Sequence, residues 1–197
     1  PRRRMFHSFS VPHDTIKKQD LQAKAFFAII NLYFFVWEGG WMRLYFAVPD
    51  TEQNHGGTLL RNFLRRCAVS TELARAVKFH GSGFFADDAP ILANRRVQAE
   101  QTIRFALPAD GPGVEPQPEI PVRVVYEDAF AVVLEKPPHL AVHPTLNYPR
   151  DTLANGYAAW AAAHGESPVF RPVNRIDKDT SGLVLAAKNG YAAPLLS

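Results

Sequence analysis

The segment 108–121 constrains the fold most strongly, because it holds five prolines and two glycines. Proline removes a backbone donor and fixes φ, so this segment can neither continue a helix nor lie inside a sheet. Such a composition is typical of an extended, semi-rigid linker. We therefore place a domain boundary here, between one unit at 42–107 and a second unit at 122–197.

The composition predicts packed domains without disulfide or zinc crosslinks. The chain has 197 residues, of which 47% are hydrophobic, and this is enough for one or two cores. Its net charge of +3 is a weak indication of a polyanionic partner. Cys67 is the single cysteine, which excludes an internal disulfide and a Cys-rich zinc cluster and fits a reducing, cytoplasmic setting. We expect Cys67 to be buried rather than reactive.

The N-terminal 41 residues suggest a leader. The apolar run 25–37 is too short to span a bilayer as a helix, and a membrane-attached or exported protein would rest on this run alone. The residues Glu38-Gly39-Gly40 can be encoded by a purine-rich ribosome-binding sequence just upstream of the Met42 codon. Residues 1–41 are then a translated leader or a mis-assigned start. The alternative is a genuine amphipathic N-terminal segment.

The unit 42–107 has the pattern of two short helices followed by a strand. A strand is predicted at 43–48 and another at 102–107. Between them, apolar positions recur at helical spacing after Thr58 and again after Ser70, so both residues are predicted N-caps. Eight basic and four acidic residues occur between 57 and 107, so the positive charge of the chain is concentrated here.

This unit resembles the S4 RNA-binding module. The helix-helix-strand order and the pattern Ser70-x4-Arg75-x2-Lys78 carry the resemblance. It implies that RNA is bound by the cations of the two helices, which are Arg61, Arg65, Arg66, Arg75 and Lys78. The hairpin turn Asp87-Asp88 departs from the module, which usually has Asn-Gly there. The alternative is an ordinary solvated helical face, and the pattern of this stretch favours neither.

The second unit begins with a hairpin and continues into a helix. Residues 122–126 and 130–134 are rich in β-branched residues and flank a turn at 127–129. A proline-rich irregular stretch follows at 136–144. Asp151 or Thr152 can cap a helix that runs to about residue 164, and a strand is predicted at 183–187.

The nonapeptide 174–182 carries the candidate chemistry. Arg175 and Lys178 lie beside Asp177, so a shared pocket would favour the ionised carboxylate and attract phosphate. Asp179 is a second candidate carboxylate, and it precedes Thr180 and Ser181, which form loops by bonding to local backbone. A hairpin with an Asx-type turn explains the same residues without catalysis.

The chain resembles the RluA-type pseudouridine synthases. The match lies in Arg175–Leu183 with Leu185–Lys188, and in the upstream segments 125–128, 132–138, 142–144 and 152–153, which occur in the family's order. The resemblance implies an α+β fold in which a small S4-like RNA-binding domain is followed by an incomplete catalytic domain with a mixed or antiparallel sheet. It implies isomerisation of specific uridines in structured rRNA or tRNA, without a metal or cofactor.

In that family the aspartate of this motif is essential, and Asp177 occupies its position. Its role as nucleophile at C1′ or as base at the ribose stays open. Arg175 matches the motif arginine, which is expected beside the vacated base stack and the phosphates. Asn174 stands where many members have His, and Glu135 stands where Asn often precedes Lys-Pro.

The family continues well past this motif and there supplies a tyrosine that packs on the target base. We therefore expect this polypeptide to be a fragment that is poorly active or inactive alone, while the complete protein is a cytoplasmic monomer without membrane attachment. The competing hypothesis is a non-catalytic RNA-binding fragment with an S4-like module and a relic catalytic domain.

Overall fold

The computed structural model describes residues 32–38, 41–50 and 56–197. The first unit begins earlier than predicted, because the strand at 32–38 belongs to its sheet. Its elements are β1 (Leu32–Glu38), β2 (Trp41–Ala47), β3 (Thr58–Leu59), α1 (Leu60–Arg66), α2 (Thr71–His80), β4 (Phe84–Ala86), β5 (Ala89–Ile91), β6 (Arg96–Val97) and β7 (Thr102–Ala106). They form a five-stranded antiparallel sheet in the order β1-β2-β7-β4-β5, a two-stranded ribbon of β3 and β6, and two helices.

The core of the first unit follows from the two sequence periodicities. Alternate residues of β2 and β7 face inward, and the apolar residues of α1 and α2 cover them. Ser70 caps α2 as predicted, because its Oγ accepts from the Leu73 amide at 3.1 Å. The prediction for Thr58 is wrong, since Thr58 pairs with Val97 in the β3–β6 ribbon and Leu59 is the N-cap of α1. Ladder pairing with a distant strand prevailed over the local capping preference.

The helix-helix-strand order of this unit is present, and its likeness to an S4 module stays a prediction. The strand β1 pairs antiparallel with β2, and in this pairing Trp37 lies opposite Met42. Residues 1–31 lie outside the described part of the chain, and the hypothesis of a leader at 1–41 also stays a prediction. In the described residues, no helix is both long enough and apolar enough to cross a membrane.

The elements of the second unit are β8 (Arg123–Glu127), β9 (Ala131–Lys136), α3 (Leu153–His164), β10 (Arg171–Pro172), β11 (Gly182–Ala187) and α4 (Ala192–Leu196). The four strands form an antiparallel sheet in the order β10-β11-β9-β8, and the longer helix α3 packs on it. The predicted hairpin, helix and last strand are therefore confirmed. Thr152 is the N-cap of α3, with its Oγ1 accepting from the Asn155 amide, and Gly165 ends the helix in the left-handed conformation at φ +73°.

The segment 108–121 has no regular helix or strand, but it is fixed along the second unit. Asp110 forms an ion pair with Arg171, and the Asn155 side chain donates to the Glu115 carbonyl at 2.9 Å. The chain also passes close to α3 at Gly156, where an added Cβ would lie 2.8 Å from Ile120 Cγ2. The semi-rigid linker predicted from the prolines is thus held by side-chain contacts as well.

The two units share a core, to which the second unit contributes Tyr191 together with Phe130 and Leu195. The Tyr191 side chain is fully buried among residues of the first unit, and its hydroxyl donates to the Cys67 carbonyl at 3.1 Å. The Phe46 ring lies 5.8 Å from the Tyr191 ring in an edge-on contact. Cys67 is buried as predicted, and burial raises the pKa of its thiol to about 12. The first unit and the Asp177 loop are therefore parts of one packed body.

Candidate active site

The loop between β10 and β11 presents Asp177 to solvent. Residues 177–180 form a tight turn, in which the Thr180 amide donates to the Asp177 carbonyl at 3.1 Å. Asp177 and Asp179 are both exposed. The Asp179 carboxylate lies 3.0 Å from His139 Nδ1, so the second carboxylate already has a side-chain partner in the proline-rich stretch 136–144. Asp179 is thus engaged with His139, and Asp177 is the candidate for the chemistry of this loop.

The base of the loop is held by Lys136, which the sequence analysis did not single out as a site residue. Its side chain is fully buried at the end of β9. Nζ donates to the carbonyl oxygens of Pro137 (2.9 Å), Leu140 (2.7 Å) and Lys178 (2.9 Å). Desolvation lowers the pKa of Lys136, while the nearby carboxylates of Asp179 and Asp177 oppose this shift.

A signal for Lys136 was available in the sequence. In a strand, residues two apart share a face, so Val132, Leu134 and Lys136 must all point to the same side. The first two are core residues, and the structure buries the lysine beside them. A buried lysine needs hydrogen-bond acceptors, and the turn carbonyl of Lys178 supplies one of them.

The two ends of the loop are closed by Asn174. Its Nδ2 donates to the Leu183 carbonyl at 3.1 Å, and its Oδ1 accepts from the Leu185 amide at 2.7 Å. At the other end, Gly182 has φ +155°, and an added Cβ would lie 3.4 Å from Ile176 Cδ1. Asn174 therefore has a structural task here, which it performs with both ends of its amide.

Lys178 reaches away from the loop towards a neighbouring turn. Its ammonium donates to Tyr148 Oη at 2.9 Å and lies 4.2 Å from the centroid of the same ring. The hydrogen bond to Tyr148 raises the pKa of Lys178. Tyr148 was not predicted, because it is thirty residues from Lys178 in sequence. The pair joins the Asp177 loop to the turn 145–148.

Arg175 and His143 complete the electrostatics of the loop. Arg175 is exposed and lies close enough to His143 to influence its titration. Burial lowers the pKa of the half-buried His143, and the positive charge of Arg175 adds to that shift. The neutral form of His143 is therefore the one that this arrangement favours near pH 7. The loop therefore combines an accessible carboxylate with two cations, Arg175 and Lys178.

The five predicted RNA-binding cations of the first unit lie on the exposed faces of α1 and α2: they are Arg61, Arg65, Arg66, Arg75 and Lys78. Two of them, Arg61 and Lys78, line the same cavity of about 680 Å³. Its wall is largely apolar and includes Phe84 and Ile91. The structure thus brings Arg61 and Lys78 together, whereas Arg175 and Lys178 belong to the other unit.

The loop can act as an acid–base or nucleophilic carboxylate beside an anionic substrate. An ionised carboxylate can accept a proton or attack carbon. Because Asp177 is exposed, a macromolecular substrate can reach it. Within the ranges that the structure describes, no group of three or more His, Cys, Asp or Glu side chains could hold a metal ion.

Comparison with known proteins shows what part of the chain is similar to. Residues 131–197 match the family model of RNA pseudouridylate synthase. The chain is 35% identical over 94 residues to "Ribosomal large subunit pseudouridine synthase D" of Haemophilus ducreyi, which covers 48% of this chain and 26% of that protein. It is 43% identical over 82 residues to the protein of the same name from Zymomonas mobilis, with 40% of this chain and 26% of that protein covered.

A relative from Bacillus subtilis, "Uncharacterized RNA pseudouridine synthase YlyB", is 36% identical over 106 residues, or 52% of this chain and 35% of that protein. The aligned part of this chain thus corresponds to about a quarter to a third of the length of these relatives. The resemblance to RluA-type pseudouridine synthases is confirmed by these matches.

Proposed function

We propose that this chain, a relative of the RluA-type RNA pseudouridine synthases, carries the aspartate-bearing part of an enzyme that converts uridine to pseudouridine in RNA. The observation that supports this most directly is the setting of Asp177. Its carboxylate is exposed, while the loop beneath it is fixed by the buried ammonium of Lys136. A positioned catalyst requires a reactive group that the substrate can reach and that is attached to a fixed backbone.

The reaction is an isomerisation, so the atoms of the substrate balance those of the product. The N1–C1′ bond of uridine breaks, the uracil turns, and a C5–C1′ bond forms. The C5 proton is then lost and N1 takes up a proton. Asp177 acts either as the nucleophile at C1′ or as the base at the ribose. Neither role needs a redox step or an external group donor.

The substrate must reach Asp177 as an extruded nucleotide. A glycosidic bond inside a stacked helix is inaccessible, so the uridine turns out of the stack at a cost of a few kcal/mol. Arg175 and Lys178 flank Asp177 and can neutralise the phosphates of the bound strand. The cations of α1 and α2 would add a second contact with RNA, as in an S4 module.

We favour ribosomal RNA as the substrate over transfer RNA. The relatives from H. ducreyi and Z. mobilis carry names that refer to the large ribosomal subunit. The family match itself specifies RNA but no particular uridine. The target within rRNA therefore has to be found by experiment.

The test replaces single codons in the chromosomal gene and maps pseudouridine across cellular RNA. Asp177→Asn removes the charge at nearly constant shape, and Asp151→Asn is the matched control, because Asp151 is an exposed carboxylate outside the loop. We expect Asp177→Asn to abolish at least one rRNA pseudouridine that the control strain retains. An unchanged profile with Asp177→Asn, at equal protein level, would refute the proposal.

The alternative of a non-catalytic RNA-binding protein is tested with a strain that lacks the gene and with a strain that carries a tagged protein. If that alternative holds, deletion of the gene leaves every pseudouridine in place, and the tagged protein still co-purifies with RNA. Replacing both Arg61 and Lys78 with Gln would then release the RNA, because these cations share one cavity on the first unit.

A further inference from the structure

A tight turn at residues 145–148 projects from the second unit beside the Asp177 loop. Thr145 and Tyr148 exchange both backbone hydrogen bonds at 3.1 Å, and Thr145 Oγ1 also accepts from the Tyr148 amide at 3.2 Å. Pro144 and Pro149 flank the turn and fix φ on either side. The turn is therefore stiff before any ligand arrives, so its ordering on binding costs little.

Leu146 lies at the tip of this turn and packs against nothing. Its relative exposure is 102%, against 63% for Phe79, the next most exposed large apolar side chain in the described part of the chain. Single exposed apolar residues are common on protein surfaces, so exposure by itself indicates no function. Leu146 is a functional candidate because its turn contacts the Asp177 loop through Lys178.

The turn is tied to the Asp177 loop through Lys178. The Lys178 ammonium contacts both the hydroxyl and the ring face of Tyr148, and the Lys178 carbonyl is bonded to buried Lys136. Lys178 directly follows Asp177 in the chain. Movement of the turn relative to Asp177 would therefore break contacts at both ends of Lys178.

We propose that the turn 145–148 is a second RNA-contacting element of the Asp177 site, and that Leu146 packs against an unpaired nucleobase next to the extruded uridine. This inference rests on the proposed function and extends it to a residue outside the family motif. Lys178 lies between Asp177 and the turn 145–148, and it neutralises the phosphate that links the extruded uridine to its neighbour.

A nucleobase fits this surface better than a protein partner does. The tip is apolar, yet Lys178, which contacts Tyr148 of the same turn, is cationic, and RNA presents apolar base faces joined by anionic phosphates. Apolar side chains, including Leu, are known to contact unstacked bases where nucleic acid is distorted. Extrusion of the uridine exposes such a face on its neighbour.

The test is made in the gene at limiting expression, with pseudouridine occupancy measured at the Asp177-dependent positions. Leu146→Ser should lower the initial rate of modification roughly tenfold, because burial of a leucine side chain is lost. Leu146→Met keeps an apolar side chain and should retain near-normal rates. Val125→Ser, at an exposed apolar residue of the edge strand β8, is the matched control and should leave the rate unchanged. Equal rates for Leu146→Ser and the unaltered chain would overturn the proposal.

Crosslinking gives an independent readout. With a benzophenone side chain in place of Leu146, irradiation in cells should crosslink the protein to nucleotides adjacent to the Asp177-dependent pseudouridine. Crosslinks to a protein alone would also overturn the proposal. If Asp177→Asn leaves all pseudouridines intact, the proposed function fails; if Asp177→Asn abolishes them and Leu146→Ser does not slow them, this inference alone fails.

Discussion

Replacement of Lys136 by Met tests the claim that a buried ammonium fixes the Asp177 loop. Hydrogen bonds to a charged group contribute about 1.5–3 kcal/mol each, and Lys136 makes three, to the carbonyls of Pro137, Leu140 and Lys178. Desolvation of the ammonium offsets several kcal/mol of that gain. The expected net loss is about 2–4 kcal/mol of unfolding free energy, since three carbonyls lose their partner.

The assay is equilibrium unfolding in urea, compared at constant m-value. Arg123→Met is the control, because Arg123 makes an exposed ion pair with Glu135 on the opposite face of β9, and such pairs contribute about 0–1 kcal/mol. Amide exchange at Thr180, whose N–H donates to Asp177, should accelerate in Lys136→Met and not in the control. A loss below about 1 kcal/mol, or no larger than in the control, would refute the reasoning.

The pH dependence gives a second check on Lys136. Desolvation lowers its pKa below the ordinary value of 10.5, so between the lowered value and 10.5 the unfolded chain binds more protons than the folded chain. Stability from this group therefore rises with pH through that window. The difference in stability between the unaltered chain and Lys136→Met should grow as pH increases towards 10.5, and a difference that shrinks would contradict the assigned direction.

Three further predictions concern other parts of the molecule. Gly156→Ala should lower stability by about 1–3 kcal/mol despite the higher helix propensity of alanine, because the new Cβ meets Ile120; calorimetry measures it, and a stabilised variant would be contrary evidence. Cys67 has its pKa raised from 9.0 to about 12, so stability should fall as pH rises through that range, by up to about 1.4 kcal/mol per pH unit. Cys67→Ala should show a shallower decline over the same range in urea titrations. In tritium-release assays on bulk RNA, release by the protein should be abolished by Asp177→Ala, and release that persists in that variant would contradict the proposed role of Asp177.

Much of the local structure could be predicted because it depends on neighbouring residues. The cap at Ser70, the cap at Thr152 and the hairpin before Lys136 follow from side-chain chemistry and strand periodicity within a few residues. The cap predicted at Thr58 was wrong because pairing with Val97, far along the chain, prevailed there. Local preference is weak compared with a tertiary contact.

The candidate site divides in the same way. Asp177, Arg175 and Lys178 were identified from one short motif, and the structure places all three on one loop. The contacts of that loop were not identified, because they join residues far apart in sequence: Lys136 lies 42 residues from Lys178, and Tyr148 lies 30 residues from it. Strand periodicity could indicate only that Lys136 lies on the buried face of β9. Whether the cations of α1 and α2 bind RNA stays a prediction.

The sequence by itself determined where the carboxylate-bearing loop lies, the order of the helices and strands, and the family that the chain resembles. These features are set by backbone preferences, side-chain periodicity and motif spacing, all of which act over short distances along the chain. Only the tertiary structure decided that Lys136 donates to the Lys178 carbonyl next to Asp177, that the turn 145–148 contacts the Asp177 loop, and that Tyr191 enters the core of the first unit. Such contacts join residues that are distant in sequence, and they arise because apolar burial and the need of buried polar groups for partners are satisfied over the whole fold.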